Sequence, residues 1–266
     1  NLIPHIGLGV LRIDDEGVTP VVESALEAGY RHIDGAAGYN NEAGVGRALQ
    51  NAGFTQGENR KNLWVTTKLR DSEQGYDSAR KAFDRQLGLL QLDYVDMYML
   101  HWPTPFNWRS GETWKAFDEF RAEGRVRTLG VCNFLPEHLE RLHKETGEYP
   151  AVNQIECHPL WNRKPLIAFC RSHGIAVQAY APLARGLYLN REIMQQLAEK
   201  YVRTEAQIGL RYLVQQGISV IPKSTQPDRI FANADVFDFE LSEADMALID
   251  TMDEQLRSAS IPDDLL

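Results

Sequence analysis

The stretches Leu63-Trp-Val-Thr-Thr-Lys68 and Val95-Asp-Met-Tyr-Met-Leu-His101 decide how this sequence is read. Each is a short β-rich run that is largely apolar rather than strictly alternating, and each ends on an ionisable residue. A strand buried on both faces has this pattern, and such strands belong to parallel sheets covered by helices. Similar runs recur at residues 30–33, 128–132, 151–156, 176–180, 218–221 and 236–239, giving eight expected strands. Helical stretches separate them. Ala79, Phe83, Leu87 and Leu90 make one apolar stripe. Pro136 suits a first helical turn, with Leu139 and Leu142 facing inward. Thr204 to Gln207 matches a capping box, and Ser242 to Asp245 is its acidic variant. Gly174 and Gly217 stop helices ahead of strands.

Eight strands alternating with helices predict an α/β fold of the (β/α)8 TIM-barrel type, as one domain over residues 1–266. The length of 266 residues suits one such barrel better than two ordinary domains. The competing fold is an open doubly wound sheet. It lacks support, because no Gly-x-Gly-x-x-Gly joins a strand to a helix; Gly7-Leu-Gly9 is a weak partial match.

Composition narrows the function classes. Acidic residues outnumber basic ones 37 to 28, for a net charge of −9, and no basic stripe runs along the chain. That argues against a nucleic-acid partner. No apolar run is long enough for a membrane span, and no signal segment opens the sequence. Cys132, Cys157 and Cys170 are too few, and odd in number, for a disulfide scaffold; they suit a reducing cytoplasm. The sequence starts at Asn1 rather than Met, which leaves room for residues upstream.

In a (β/α)8 barrel the active site lies at the C-terminal ends of the strands. The run at 30–33 leads into Asp34, with Tyr39 five residues on. The next runs end at Lys68 and His101, and later ones at Cys132 with Asn133 and at Tyr180, while the run at 151–156 carries Gln154. Neighbouring parallel strands lie about 4.8 Å apart, so the first four side chains can converge. A buried lysine needs an anion, which Asp34 can supply. A phenol beside an ammonium is expected to have a lowered pKa and to serve as proton donor. Taken singly, each residue has an ordinary structural role available: Asp34 as a cap, Tyr39 in packing, Lys68 at an exposed strand end, His101 as a core histidine. Together, on three consecutive strand ends, they suggest a device that protonates an oxygen gaining negative charge. A second cluster, Ile221-Pro-Lys-Ser-Thr-Gln-Pro-Asp-Arg229, places polar donors ahead of a helix opened by Pro227, a setting that favours a phosphate.

These residues resemble the aldo-keto reductases over nearly the whole chain, closest to the bacterial 2,5-diketo-D-gluconate reductases. The resemblance rests on Gly29-Tyr-Arg-His-Ile-Asp34, Tyr39-Asn-Asn-Glu42, Thr66-Thr-Lys68, Asp93-Tyr-Val-Asp-Met-Tyr, His101-Trp-Pro103, Gly130-Val-Cys-Asn-Phe134, Val152-Asn-Gln-Ile-Glu156 and Ile221-Pro-Lys-Ser224, in this order and spacing. It implies NADPH as cofactor, no metal, and a catalytic tetrad of Asp34, Tyr39, Lys68 and His101. It implies that Asn133 and Gln154 hold the nicotinamide carboxamide and that Tyr180 stacks on the ring. Ala181, Leu183 and Arg185 would follow the pyrophosphate, with Asp34 also beside the cofactor. Lys223, Ser224, Thr225 and Arg229 would receive the 2′-phosphate, and Asn233 the adenine. The substrate pocket would be bordered by Leu11, Arg70, Trp102 and Trp108. Leu11 and Arg70 replace tryptophans common in the family, Cys132 replaces a serine, and Ala232 an acidic residue. The family's N-terminal hairpin is largely absent.

The implied activity is NADPH-dependent reduction of aldehydes and ketones by a monomer. Arg70 either attracts an anionic substrate, such as the keto-sugar acid 2,5-diketo-D-gluconate, or faces solvent. Two alternatives stand beside this reading. One is a non-catalytic protein that binds or senses NADPH. The other is a phosphate-handling barrel isomerase using Glu156 as base.

Overall fold

A computed structural model describes residues 3–259. Eight strands form one sheet: β1 Leu8–Gly9, β2 His32–Asp34, β3 Trp64–Leu69, β4 Val95–Leu100, β5 Val126–Cys132, β6 Val152–Glu156, β7 Ala176–Tyr180 and β8 Ser219–Val220. They pair in parallel, each with the next in sequence. The ends meet through Gly7 N to Val220 O at 2.8 Å, Val220 N to His5 O at 2.9 Å and Gly9 N to Pro222 O at 3.1 Å, which closes the barrel. Around it run α1 Val18–Glu27, α2 Glu42–Asn51, α3 Gly57–Lys61, α4 Tyr76–Leu90, α5 Ser110–Ala122, α6 Pro136–Thr146, α7 Lys164–Ser172, α8 Glu192–Tyr201, α9 Glu205–Gln215, α10 Pro227–Ala234 and α11 Glu243–Asp250.

Two expectations about strands need correction. Residues 236–239 are not a strand. Their segment links α10 to α11, and side chains of α9 bond its backbone: Arg211 Nη1 donates to Val236 O and Gln207 Nε2 to Asp235 O. The missing strand is β1, inside Gly7-Leu-Gly9. Two residues cannot display a periodicity. The glycines there serve closeness rather than phosphate binding, since a Cβ on Gly7 would sit 2.7 Å from the His32 ring.

The strands are largely buried because both faces are covered. Tyr98 on β4 points outward and stacks among Phe83, Phe117 and Phe120, with Phe83 and Phe120 centroids 4.4 Å apart. Met97 and Met99 belong to a separate apolar cluster with Trp64 and Val152. Next to that cluster lies a buried polar chain. Gln154 Nε2 donates to Gln178 Oε1 at 2.6 Å, Gln178 Nε2 to Ser219 Oγ at 3.2 Å, and Ser219 Oγ to Pro4 O at 2.7 Å. The helix signals appear where expected. Ala79, Phe83, Leu87 and Leu90 are buried on α4, Thr204 and Gln207 form a reciprocal cap on α9, and Ser242 Oγ accepts from Asp245 N on α11.

Helix α2 approaches its neighbours at backbone distance. A Cβ at Gly46 would lie 2.5 Å from Leu89 O on α4. Gly46→Ala should therefore destabilise the fold by roughly 1–3 kcal/mol, overriding the gain of about 1 kcal/mol in helix propensity. Urea denaturation would test this, and an equally or more stable variant would refute the close contact.

His32 is fully buried. One ring nitrogen, Nε2, meets Thr66 Oγ1 at 3.0 Å. Burial, helped by the charge of Lys68, pushes its pKa down to about 3 from the ordinary 6.5. Below pH 6.5 the unfolded chain takes up a proton here that the folded chain refuses, so stability falls as the pH drops from 6.5 towards 3. The contribution is about 1.4 kcal/mol per pH unit. His32→Asn should flatten the dependence of the urea midpoint on pH between 4.5 and 6.5 by about one proton's worth. An unchanged slope would contradict the assignment.

Candidate active site

The C-terminal ends of the strands open into a cavity of about 610 Å3. Asp34, Tyr39, His101, Asn133, Gln154, Tyr180, Arg185 and Lys223 are among its lining residues. Lys68 has no exposed side-chain surface and bonds the lining residues Asp34 and Tyr39. Asp34 ends β2, Lys68 lies on β3, and His101 directly follows β4. Asp34 and Lys68 face inward because each strand alternates its side chains between barrel interior and helix layer. Tyr39 reaches the same point from a single 3-10 turn, Ala37–Tyr39.

The lysine ammonium uses all three of its N–H groups. It donates to Asp34 Oδ2 at 2.7 Å, Gly35 O at 2.9 Å and Tyr39 Oη at 3.3 Å. Burial pulls its pKa down, but the charge of Asp34 and its further partners outweigh this, and the net shift is upward. Lys68 is therefore a cation at any physiological pH. The other Asp34 oxygen accepts from Gln154 Nε2 at 2.7 Å, so the carboxylate is held from two sides.

The expected lowering of the Tyr39 pKa is not found. Burial pushes it up to about 12, and Asp34 and Cys132 add to the rise, against the lowering by Lys68. The ammonium's attraction is real but smaller than the loss of hydration. Tyr39 is a neutral phenol whose oxygen already accepts from Lys68, which leaves its O–H directed elsewhere. The His101 ring packs edge-on against Tyr39 at 5.7 Å. Burial first, then the charges of Lys68 and Arg70, bring its pKa down to about 3, so it too is neutral.

Around this centre the remaining residues divide. Tyr180 Oη donates to Asn133 Oδ1 at 2.8 Å, and Asn133 Nδ2 donates to His101 O at 3.2 Å. Asn133 adopts a left-handed backbone, φ 65°, directly after β5. Cys132 Sγ lies 3.6 Å from Gln154 Oε1. Ala181, Leu183, Arg185 and Lys223 continue along the cavity wall. Ser224, Thr225 and Arg229 are not among the lining residues; they lie on or beside the exposed start of α10. Ser224 Oγ accepts from Gln226 N there. Asn233 is buried on α10. Leu11, Arg70 and Trp102 line the cavity. Trp108 does not: its ring packs near Phe134 and His138, Arg141 covers it, and its Nε1 donates to Glu145.

Arg70 does not simply face solvent. Its Nη2 donates to Ala37 O at 2.8 Å and Asn40 Oδ1 at 2.7 Å. Glu156, the base that an isomerase would need, is buried. One of its oxygens accepts from His158, Ser258 and Ala259, and it does not line the cavity. Five lining residues escaped the sequence reading: Arg12, Gly38, Asp71, Pro182 and Ala259. Arg12 sits in a left-handed turn, φ 60°, beside Leu11, which was recognised. Ala259 is brought in by the hold of Glu156 on the tail, a contact across 103 residues with no local signature.

The cavity suits an extended anionic dinucleotide. It offers an open tyrosine ring, a polar carboxamide pair and cationic side chains at Arg185 and Lys223 along one wall. Comparison with known proteins agrees. The model of the aldo/keto reductase family matches residues 5–254. The glyoxal reductase of Bacillus subtilis is 41% identical over 99% of this chain and 94% of its own. Methylglyoxal reductase DkgA of Escherichia coli K12 is 42% identical, again over 99% and 94%. Among solved structures, a Bombyx mori aldo-keto reductase in complex with NADP superposes with a TM-score of 0.91 at 36% identity, covering 98% of this chain and 92% of that one. The chain belongs to the aldo/keto reductase family.

Proposed function

We propose that the protein reduces aldehydes and ketones to alcohols with NADPH, and that Tyr39 is the proton donor. One observation carries the assignment: Lys68 spends its third N–H on the Tyr39 oxygen, so the phenol hydrogen is free for an acceptor in the cavity. Bound NADPH supplies the hydride, and Asn133, Gln154, Tyr180, Ala181, Leu183, Arg185 and Lys223 would hold it, with Ser224, Thr225, Arg229 and Asn233 beyond the cavity.

The chain's own part is proton delivery and charge stabilisation. A carbonyl oxygen placed between Tyr39 and His101 receives a hydrogen bond from each neutral group. As negative charge grows on that oxygen, Tyr39 releases its proton to it. The phenolate left behind faces the Lys68 ammonium, which stabilises it at the moment it forms. Asp34 keeps the ammonium charged and placed. A high resting pKa for Tyr39 suits this role, because the donor stays loaded across the physiological range.

The assembled tetrad favours an enzyme over a non-catalytic nucleotide sensor. Within the carbonyl substrates, a keto-sugar acid such as 2,5-diketo-D-gluconate is supported by two cationic side chains on the cavity wall, Arg12 and Arg70. Cytoplasmic residence is supported by three free, buried cysteines. Among the described residues no helix is long and apolar enough to cross a membrane. We read the protein as a monomer.

Tyr39→Phe should bind NADPH within about twofold of the parent and lose roughly 10²–10⁴-fold in turnover of a carbonyl substrate. Cofactor fluorescence titration and absorbance of reduced nicotinamide measure the two, and undiminished turnover would remove Tyr39 from its role. Lys68→Met should abolish turnover and also destabilise the fold by roughly 3–5 kcal/mol, since it strands the Asp34 carboxylate. Adding Asp34→Asn should recover most of that stability in urea denaturation without recovering turnover. A double variant no more stable than Lys68→Met alone would argue against the pair.

A further inference from the structure

The turn that carries Tyr39 is three residues long and makes little structure of its own. Its backbone bonds are Tyr39 N to Ala36 O at 3.0 Å and Asn40 N to Ala37 O at 3.3 Å. Asn40 closes it in the left-handed region, φ 56°. One turn of this kind does not fix the direction of a phenol. Side chains tie it down from two flanks. On one, Asn41 Nδ2 donates to Val10 O and Ile13 O, both at 2.9 Å. On the other stands Arg70. A single guanidinium nitrogen bonds Ala37 O at 2.8 Å and Asn40 Oδ1 at 2.7 Å, the two acceptors on either side of Tyr39 in sequence.

We propose that Arg70 is a positioning residue, whose guanidinium clamps the 37–40 turn to the end of β3 and so holds the Tyr39 hydroxyl against Lys68. Lys68 lies on that same strand, two residues earlier. The clamp therefore references donor and ammonium to one rigid element, and the 3.3 Å contact between them follows from it. Both hydrogens of the clamping nitrogen are spent inside the protein. Recognition of an anionic substrate falls to the remaining N–H groups of Arg70 and to Arg12. The inference rests on the reading of Tyr39 as proton donor.

The test compares a neutral substrate, methylglyoxal, with an anionic one, glyoxylate. Arg70→Met should lower kcat at least tenfold for both, with KM changed less than threefold for methylglyoxal and NADPH affinity kept within twofold. The solvent deuterium isotope effect on kcat should rise as proton transfer slows. Arg70→Lys, which keeps a nitrogen able to serve both acceptors, should recover part of the loss. Should Arg70→Met fold poorly, Asn40 decides. Asn40→Gly tolerates the left-handed backbone but deletes the acceptor, and should lose kcat. Asn40→Asp retains the acceptor and should not. Parent-like kcat on methylglyoxal in Arg70→Met, with only the KM for glyoxylate raised, overturns the clamp in favour of an anion receptor. Equal kcat for the two Asn40 variants also overturns it. Full turnover in Tyr39→Phe would instead strike the donor reading beneath it.

Discussion

A lysine with no exposed side-chain surface has given up its hydration, and the Asp34 carboxylate at 2.7 Å is what makes this tolerable. The pair is a poor source of stability, since desolvation offsets most of its attraction. Its value lies in placement. Each of the three ammonium hydrogens has one acceptor, so the cation has no freedom to wander. Asp34 is held in turn by Gln154, and the chain of amides runs on through Gln178 to Ser219 and the backbone of Pro4. The cavity end of the barrel is thus joined by hydrogen bonds to the backbone ahead of β1. A polar interior with every link satisfied is rigid, and rigidity is what a site of fixed dipoles needs.

The same burial sets the protonation of the neighbours. Tyr39 and His101 both remain neutral because burial disfavours their charged forms, although a full positive charge stands close by. The site therefore rests with one cation, one anion and two neutral donors. In the proposed reaction, charge would appear on the phenol oxygen only as the proton leaves, beside the Lys68 ammonium already bonded to it. A phenolate at rest would have no proton to give. Desolvation of the phenol and proximity of the ammonium act in opposite directions on the resting group and serve the same chemistry.

The scaffold contributes closeness. Gly46 lets α2 lie against the backbone of α4. Glu42 on α2 accepts from Thr67 at 2.6 Å, next to Lys68 on β3. That helix begins three residues after Tyr39. Packing of α2 and the hold of Arg70 therefore act on the same few residues, from the helix layer and from the strand end. The Glu156 carboxylate performs a comparable service for the chain's last described residues, bringing Ala259 to the cavity.

Much of this was legible in the residues themselves. The apolar runs showed parallel strands because two-sided burial leaves that mark, and helix caps and stops are local chemistry. Asp34, Lys68 and His101 could be grouped because strand ends of a barrel converge, whereas Tyr39 joins them from the turn after β2. What the linear text could not carry was anything decided by closure or by competition. Strand β1 is two residues long and is defined by long-range partners: it pairs with Ile33 and Asp34 on one side, while Gly7 and Gly9 bond Val220 and Pro222 across the seam. The 236–239 segment has strand-like composition, but side chains of α9 take the carbonyls of Asp235 and Val236 at its start. The direction of the Tyr39 pKa is a difference between desolvation and attraction, and its sign depends on how deeply the packed fold buries the ring. Arg70 was read as either a substrate ligand or a solvent-facing side chain. Only folding places Ala37 and Asn40, thirty or more residues away, within its reach. Residue types and spacing determined which groups meet; the depth of burial and the long-range partners that set their energies came from the assembled barrel.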